Sequence, residues 1–269
     1  MVVDGLRWEV RVRGSGQPLL LLHGFTGRGT AWGSHATALA RAFRVITVDL
    51  PGHGRTAWAD PGRLTVERTA DDLAAILQRA GAVPAAVLGY SLGARIALRL
   101  AIAHPLVVGR LVLESPSAGL PTAAERAARR RADEALAARI ERDGIAAFVE
   151  EWERQPVFAS HAGLPPARAA RLRAMRLSND PRGLAASLRG AGQGAMEPLF
   201  DRLGTIEAPT LVITGTLDER GSSRAVEVAR RIPGARVEIL DLAGHTPHEE
   251  QSGAFRHLVL DFLKEARAA

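Results

Sequence analysis

The sequence predicts an α/β protein with a mostly parallel central sheet, flanked by helices and interrupted by a helical cap insert. Three observations carry that prediction. Short, wholly apolar runs such as Leu19-Leu20-Leu21-Leu22 alternate with helical patterns, as strands buried on both faces do. The alternation stops near Leu120 and resumes at Thr210. Within the first stretch of alternation, at Gly89-Tyr90-Ser91-Leu92-Gly93, an apolar strand turns sharply into a helix around a serine.

The elements follow in order. Residues 7–12 alternate like an edge strand, and 19–22 and 44–48 read as buried strands. Residues 65–79 have helical spacing, with Val66, Ala70, Leu73 and Leu77 on one side. Residues 85–88 form the strand before the serine, 94–101 the helix after it, and 111–113 the next strand. From 121 to about 200 the patterns are helical without a strand, broken at Gly144, Pro156, Pro165-Pro166, Pro181 and Gly190. Strand 210–214, helix 223–231, strand 237–240 and an amphipathic helix over 255–266 complete the chain. The organisation expected is one core made of 1–119 and 201–269, with a cap at 120–200.

Composition narrows the function. A hydrophobic content of 46% and a charged content of 24% in 269 residues fit a soluble globular protein. There is no cysteine, which excludes disulfides and thiolate metal sites. Residues 1–7 lack the apolar core of a signal peptide and no run is long enough to cross a bilayer, so the cytoplasm is expected and a membrane partner is not. The net charge is +6, from 35 basic and 29 acidic residues, and Lys264 is the sole lysine. The arginines are interleaved with acids, as over 125–134, and aromatics make up 4%. Nucleic acid is therefore not an expected partner, whereas a small anionic substrate is compatible with the charge. His23, His53 and His245 have no metal-like spacing, and neither a metal nor a cofactor is expected. Nothing in the sequence sets an oligomeric state.

A serine in such a turn needs a base, and the base an orienting acid. The flanking glycines allow the tight turn, and the helix N-terminus presents free N–H groups beside Ser91. The expected chain order is Ser, acid, His. Asp218 follows strand 210–214 and His245 follows strand 237–240, so both stand at the same sheet edge as Ser91. Glu114, just after strand 111–113, rivals Asp218; His248 and His257 rival His245. Two backbone N–H groups are needed for an oxyanion hole, and Leu92 and Phe25 are the expected donors. His23 and His53 are read as braces of their loops.

Together His23-Gly24-Phe25-Thr26-Gly27, residues 49–54, the serine elbow and Ala243-Gly244-His245 resemble the α/β-hydrolase superfamily over nearly the whole chain. A narrower resemblance is to the 2-succinyl-6-hydroxy-2,4-cyclohexadiene-1-carboxylate synthases of menaquinone biosynthesis. It is carried by Gly89 through Arg95, Gly119-Leu120, residues 125–133, 148–158 and 176–179, and His245 through Glu250. The chain departs from that family at Ala94, where a second glycine is usual. It departs again after Asp218, where Glu219-Arg220-Gly221 replaces a Lys-Phe pair, and over 192–200, a loose match.

The resemblance implies a lyase that removes pyruvate from a cyclohexene precursor bearing several carboxylates. Ser91, activated by Asp218 and His245, would act as a base. Arg95 and Arg129 match the family's substrate arginines, and Tyr90 and Trp152 its pocket residues. The alternatives are a hydrolase of the same fold acting on an ester, lactone or carbon–carbon bond, and a non-catalytic binding protein. For Arg95 and Arg129 the competing reading is a solvated helix face or a salt bridge; for Trp152 it is cap core.

Overall fold

The computed structural model describes residues 1–58 and 61–265. Strands β1 (Val2–Val3) and β2 (Leu6–Arg7) pair with each other. The main sheet contains β3 (Val10–Arg13), β4 (Gln17–Leu22), β5 (Phe43–Val48), β6 (Ala85–Tyr90), β7 (Val108–Glu114), β8 (Thr210–Gly215) and β9 (Arg236–Leu240). Their spatial order is β3-β5-β4-β6-β7-β8-β9; β3 runs antiparallel to β5, and every other neighbouring pair is parallel.

The apolar runs explain this sheet. In β4, Leu20 and Leu22 enter the core on one face and Leu19 and Leu21 the core on the other, all fully buried. Burying one such side chain stabilises the fold by about 2 kcal/mol. The same division holds in β7, where Leu111 and Leu113 face one core and Val112 the other. Helices must therefore cover both faces. Helices α1 (Gly33–Leu39), α2 (Val66–Arg79) and α3 (Leu92–Ala103) belong to the first half. After β7 come α4 (Ala123–Glu153), α5 (Pro166–Leu177) and α6 (Pro181–Ala191), and after β8 come α7 (Glu219–Arg231), α8 (Pro247–Glu250) and α9 (Ser252–Lys264). Apolar residues of α2, α3 and α7 fill one core, and those of α1 and α9 the other.

Several boundaries differ from the sequence expectation. The expected edge strand at 7–12 is split, because the Trp8 N–H donates to Met1 O and its indole N–H reaches Asp72, while Glu9 N–H donates to Thr56 Oγ1. Thr65 is the cap of α2 and not its first residue, accepting from Arg68 N–H. Helix α7 begins four residues early, because the Asp218 side chain caps it through Gly221 N–H. Ala266, the expected end of the last helix, lies outside the described residues.

Between β7 and β8 the described residues contain helices and no strand. Thr122 and Glu125 start α4 with a reciprocal capping box. Gly144, with φ 79° and ψ 175°, kinks α4 so that its two arms fold together. Ala137, Ile140, Phe148 and Val149 of α4 pack on Leu184, Ala185 and Leu188 of α6. No helix among the described residues is long and apolar enough to cross a membrane.

Candidate active site

Parallel strands bring their carboxyl ends to one edge, and five loops there build the site. The elbow is the tightest. Ser91 has φ 51° and ψ −104°, a backbone conformation that costs roughly 1–3 kcal/mol and is held by its surroundings. A Cβ on Gly89 would lie 2.3 Å from Gly93 O, and one on Gly93 would lie 2.3 Å from Leu22 O. Only glycines let strand, turn and helix approach this closely. The Ser91 N–H donates to the Glu114 carbonyl at 2.9 Å, which ties the turn to β7.

His245 stands between Ser91 and Asp218. Its Nε2 is 3.1 Å from Ser91 Oγ, and its Nδ1 is 2.7 Å from Asp218 Oδ2. Burial pushes the Asp218 carboxyl up, but the His245 hydrogen bond and charge, the Gly221 N–H and the Arg224 charge together hold it below its ordinary value. An ionised carboxylate only accepts, so Nδ1 carries the proton and Nε2 is free to accept from the serine hydroxyl. The His245 loop is fixed by groups the sequence did not single out. Ser115 Oγ donates to His245 O at 2.9 Å, and Glu250 Oε2 accepts from Gly244 and Thr246 N–H.

The rivals are engaged elsewhere. Glu114 is fully buried and accepts from His248 through both Nδ1 and the backbone N–H, each at 2.8 Å. Burial alone would lower the His248 pKa, but the adjacent Glu114 carboxylate raises it above the ordinary value. His257 is exposed and lies 3.1 Å from Asp261. His23 Nδ1 donates to Gly24 O and its Nε2 accepts from Leu50 N–H, a brace between two loops. Burial lowers its pKa to about 4, and that of His53 to about 3.

A cavity of about 270 Å³ opens beside Ser91. Phe25, Leu92, Tyr90, Arg95, Arg129 and Trp152 all line it, together with Ser91 and His245. Leu92 is the first residue of α3, so its N–H has no partner within the helix. The Phe25 N–H donates to no group among the described residues. The Phe25 ring meets Trp152 at 5.4 Å and Trp152 meets Phe158 at 5.6 Å, forming an aromatic wall. The Trp152 indole N–H is buried without a partner. Tyr90 lies against His245 at 5.6 Å and His248 at 4.9 Å, and a Cβ on Gly24 would meet its ring at 2.5 Å.

Arg95 is neither a solvated face nor half of a salt bridge. It is 9% exposed, and its Nη1 donates to the Ala191 carbonyl at 2.7 Å. Burial first, then repulsion from Arg129, lowers its pKa to about 10, against the pull of Asp133. Arg129 donates to Asp133 at 2.8 Å. Only Arg129 is within ion-pair distance of Asp133, and Arg95 feels that carboxylate through its charge alone. Sequence reasoning missed Phe158, Gln155, Ser187, Gln193, Gly221 and Arg224 as lining residues. Phe158 and Gln155 fall in the segment 148–158 already singled out by resemblance. Arg224 carries no motif, and only the start of α7 at Glu219 brings it to the cavity.

No cluster of three or more His, Cys, Asp or Glu with metal-site geometry occurs among the described residues. The family described as the α/β hydrolase fold matches residues 17–252. A Bacillus subtilis protein, named provisionally as a 2-succinyl-6-hydroxy-2,4-cyclohexadiene-1-carboxylate synthase, is 38% identical over 97% of this chain and 96% of its own length. The Salmonella paratyphi C synthase of that name is 32% identical over 87% of this chain and 90% of its own. The solved structure of MenH from S. aureus superposes with a TM-score of 0.90 at 33% identity, covering 96% of this chain and 97% of that one.

Proposed function

This chain belongs to the α/β-hydrolase fold family, within which its relatives are the 2-succinyl-6-hydroxy-2,4-cyclohexadiene-1-carboxylate synthases, and from that premise we propose that it is a pyruvate-eliminating lyase. The substrate is 2-succinyl-5-enolpyruvyl-6-hydroxy-3-cyclohexene-1-carboxylate. The observation that carries the reading is Arg95: a buried cation with no carboxylate of its own, lining the cavity that holds Ser91 and His245. A buried charge is strongly destabilising unless it finds a counter-ion. A carboxylate of the substrate supplies one, and a neutral ester does not.

The chemistry follows from the two ring systems. Conversion of a 3-cyclohexene into a 2,4-cyclohexadiene removes hydrogen from C2 and the enolpyruvyl oxygen from C5. C2 is next to the succinyl ketone, so its proton is the acidic one. His245 Nε2 accepts the Ser91 hydroxyl proton, and the serine oxygen takes the C2 proton. The electron pair forms C2=C3, the former C3=C4 pair forms C4=C5, and the C5–O bond breaks. Enolpyruvate leaves, accepts the returned proton and ketonises to pyruvate. In the transition state negative charge develops on the ketone oxygen, which the Phe25 and Leu92 N–H groups would hold. Asp218 keeps the His245 tautomer and supports the imidazolium. No cofactor is required by this sequence of steps.

Arg129 joins Arg95 in gripping carboxylates, and Tyr90 and Trp152 shape the wall against the ring. In this reading the enzyme works in the cytoplasm on a small polycarboxylate. The test compares substrates: Arg95→Ala should lower kcat/KM for the carboxylated precursor about 100-fold and leave a neutral nitrophenyl ester nearly unaffected. Rapid turnover of the ester by the wild type, with stoichiometric labelling by a serine-directed phosphonate and no pyruvate release, would instead establish a hydrolase.

A further inference from the structure

Arg224 of α7 touches no reacting group in the chemistry above and enters it only through its charge on Asp218, yet it lines the same cavity as Ser91 and Arg95. Its side chain is exposed and forms no ion pair or hydrogen bond among the described residues. Its charge reaches Asp218 on one side and Glu125, in the first turn of α4, on the other. Neither carboxylate lies within ion-pair distance. Arg224 therefore stands at the lip between α7 and α4 with its guanidinium free. Most other cavity and insert arginines are satisfied: Arg129 by Asp133, Arg176 by Glu153, Arg189 by Glu134 and Glu141.

The wall beside it explains why this residue meets the cavity. Gly221 lines the cavity three residues earlier, on the same helix face. A Cβ at that position would lie 2.0 Å from Asp218 Oδ2, a carboxylate already held by His245 and by the Gly221 N–H. A side chain at 221 would have to displace that carboxylate; with glycine there, the next side chain along that face is Arg224.

We propose that Arg224 is a further substrate-binding residue, a third cation that takes a carboxylate at the cavity mouth in addition to those held by Arg95 and Arg129. This rests on the polycarboxylate reading of the site. The substrate carries three carboxylates, on the ring, the succinyl chain and the enolpyruvyl group, and the cavity then offers three guanidinium groups. Because Arg224 is exposed, its attraction acts on capture more than on the chemical step, and salt weakens it.

The test uses benzene-1,2,4-tricarboxylate as a stable ring tricarboxylate, titrated calorimetrically into wild type, Arg224→Gln and Arg230→Gln at low and high salt. Arg230, also exposed and at the far end of α7, controls for net charge. Arg224→Gln should weaken binding about tenfold at low salt and flatten its salt dependence, while Arg230→Gln binds as the wild type does. With the cyclohexene precursor, Arg224→Gln should raise KM about tenfold at nearly unchanged kcat. Wild-type affinity in Arg224→Gln, equal losses in both variants, or no binding of the tricarboxylate by the wild type would each overturn the proposal. Arg224-dependent binding without pyruvate release would sustain it and overturn the lyase assignment instead.

Discussion

Ser91 Oγ, the His245 imidazole and the Asp218 carboxylate form one hydrogen-bonded line at 3.1 and 2.7 Å. Residues acting as a unit fail as a unit, so Ser91→Ala, His245→Ala and Asp218→Asn should each lower kcat about 10³–10⁴-fold. Their circular dichroism and melting temperatures should stay near wild type; residual turnover close to wild type in Ser91→Ala would remove the serine from the mechanism. Gly221 offers a finer probe. Its missing Cβ leaves room for the Asp218 carboxylate, so Gly221→Ala should push that group off His245. A displacement of about 1 Å can cost about 100-fold in rate, and steady-state kinetics on folded Gly221→Ala protein would detect it. Unchanged kcat would mean that Asp218 adapts without loss.

Among the elements, the β6–α3 elbow and the helices between β7 and β8 set the site. Gly93→Ala drives a Cβ to 2.3 Å from Leu22 O, a backbone atom that cannot turn aside. Overpacking of this kind costs about 1–3 kcal/mol or more, and urea unfolding should register it as a lower midpoint. Asn179, just after α5, couples the insert to the core: its Nδ2 donates to Thr26 O at 2.8 Å and its Oδ1 accepts from Gly54 N–H at 3.2 Å. Asn179→Ala leaves both loops unsatisfied, at a cost of about 1–3 kcal/mol in the same assay. The elbow and the strand ends were legible in the sequence because local rules write them: apolar runs, glycine spacing and the order Ser, Asp, His. The edge at Trp8, the short α1 and the pairing of Glu114 with His248 were not. Each depends on partners distant in sequence, such as Asp72 for Trp8 and β7 for His248. Arg95 was legible as a candidate, but its burial without a carboxylate became visible only once α6 was packed over it.

At the scale of the whole molecule, buried imidazoles govern the response to acid. Burial, the largest influence in each case, lowers His23, His35 and His161 to about 4 and His53 to about 3. These four are neutral in the folded protein and bind protons near pH 6.5 when unfolded. The unfolded state therefore holds more protons between pH 6.5 and 4, and stability falls as pH drops through that window. His248 acts in the opposite sense. Its folded value is raised, so its contribution is complete below the unfolded value and is lost as pH rises through the folded one. At pH 5 His248 is protonated in both states, so the four lowered rings alone set the slope, an uptake of about 3.5 protons on unfolding, measurable from unfolding free energy against pH. A flat profile from pH 7 to 4.5 would contradict the buried, neutral state of these rings.

In the proposed elimination Ser91 works as the base. The most direct measurement follows pyruvate, by coupled lactate dehydrogenase, and the cyclohexadiene chromophore together, starting from enzymatically prepared cyclohexene precursor. Wild-type protein should release both in equal amounts, far faster than spontaneous decay, and Ser91→Ala should reduce both to the background rate. Release no faster than background by folded wild-type protein would contradict an elimination at this site.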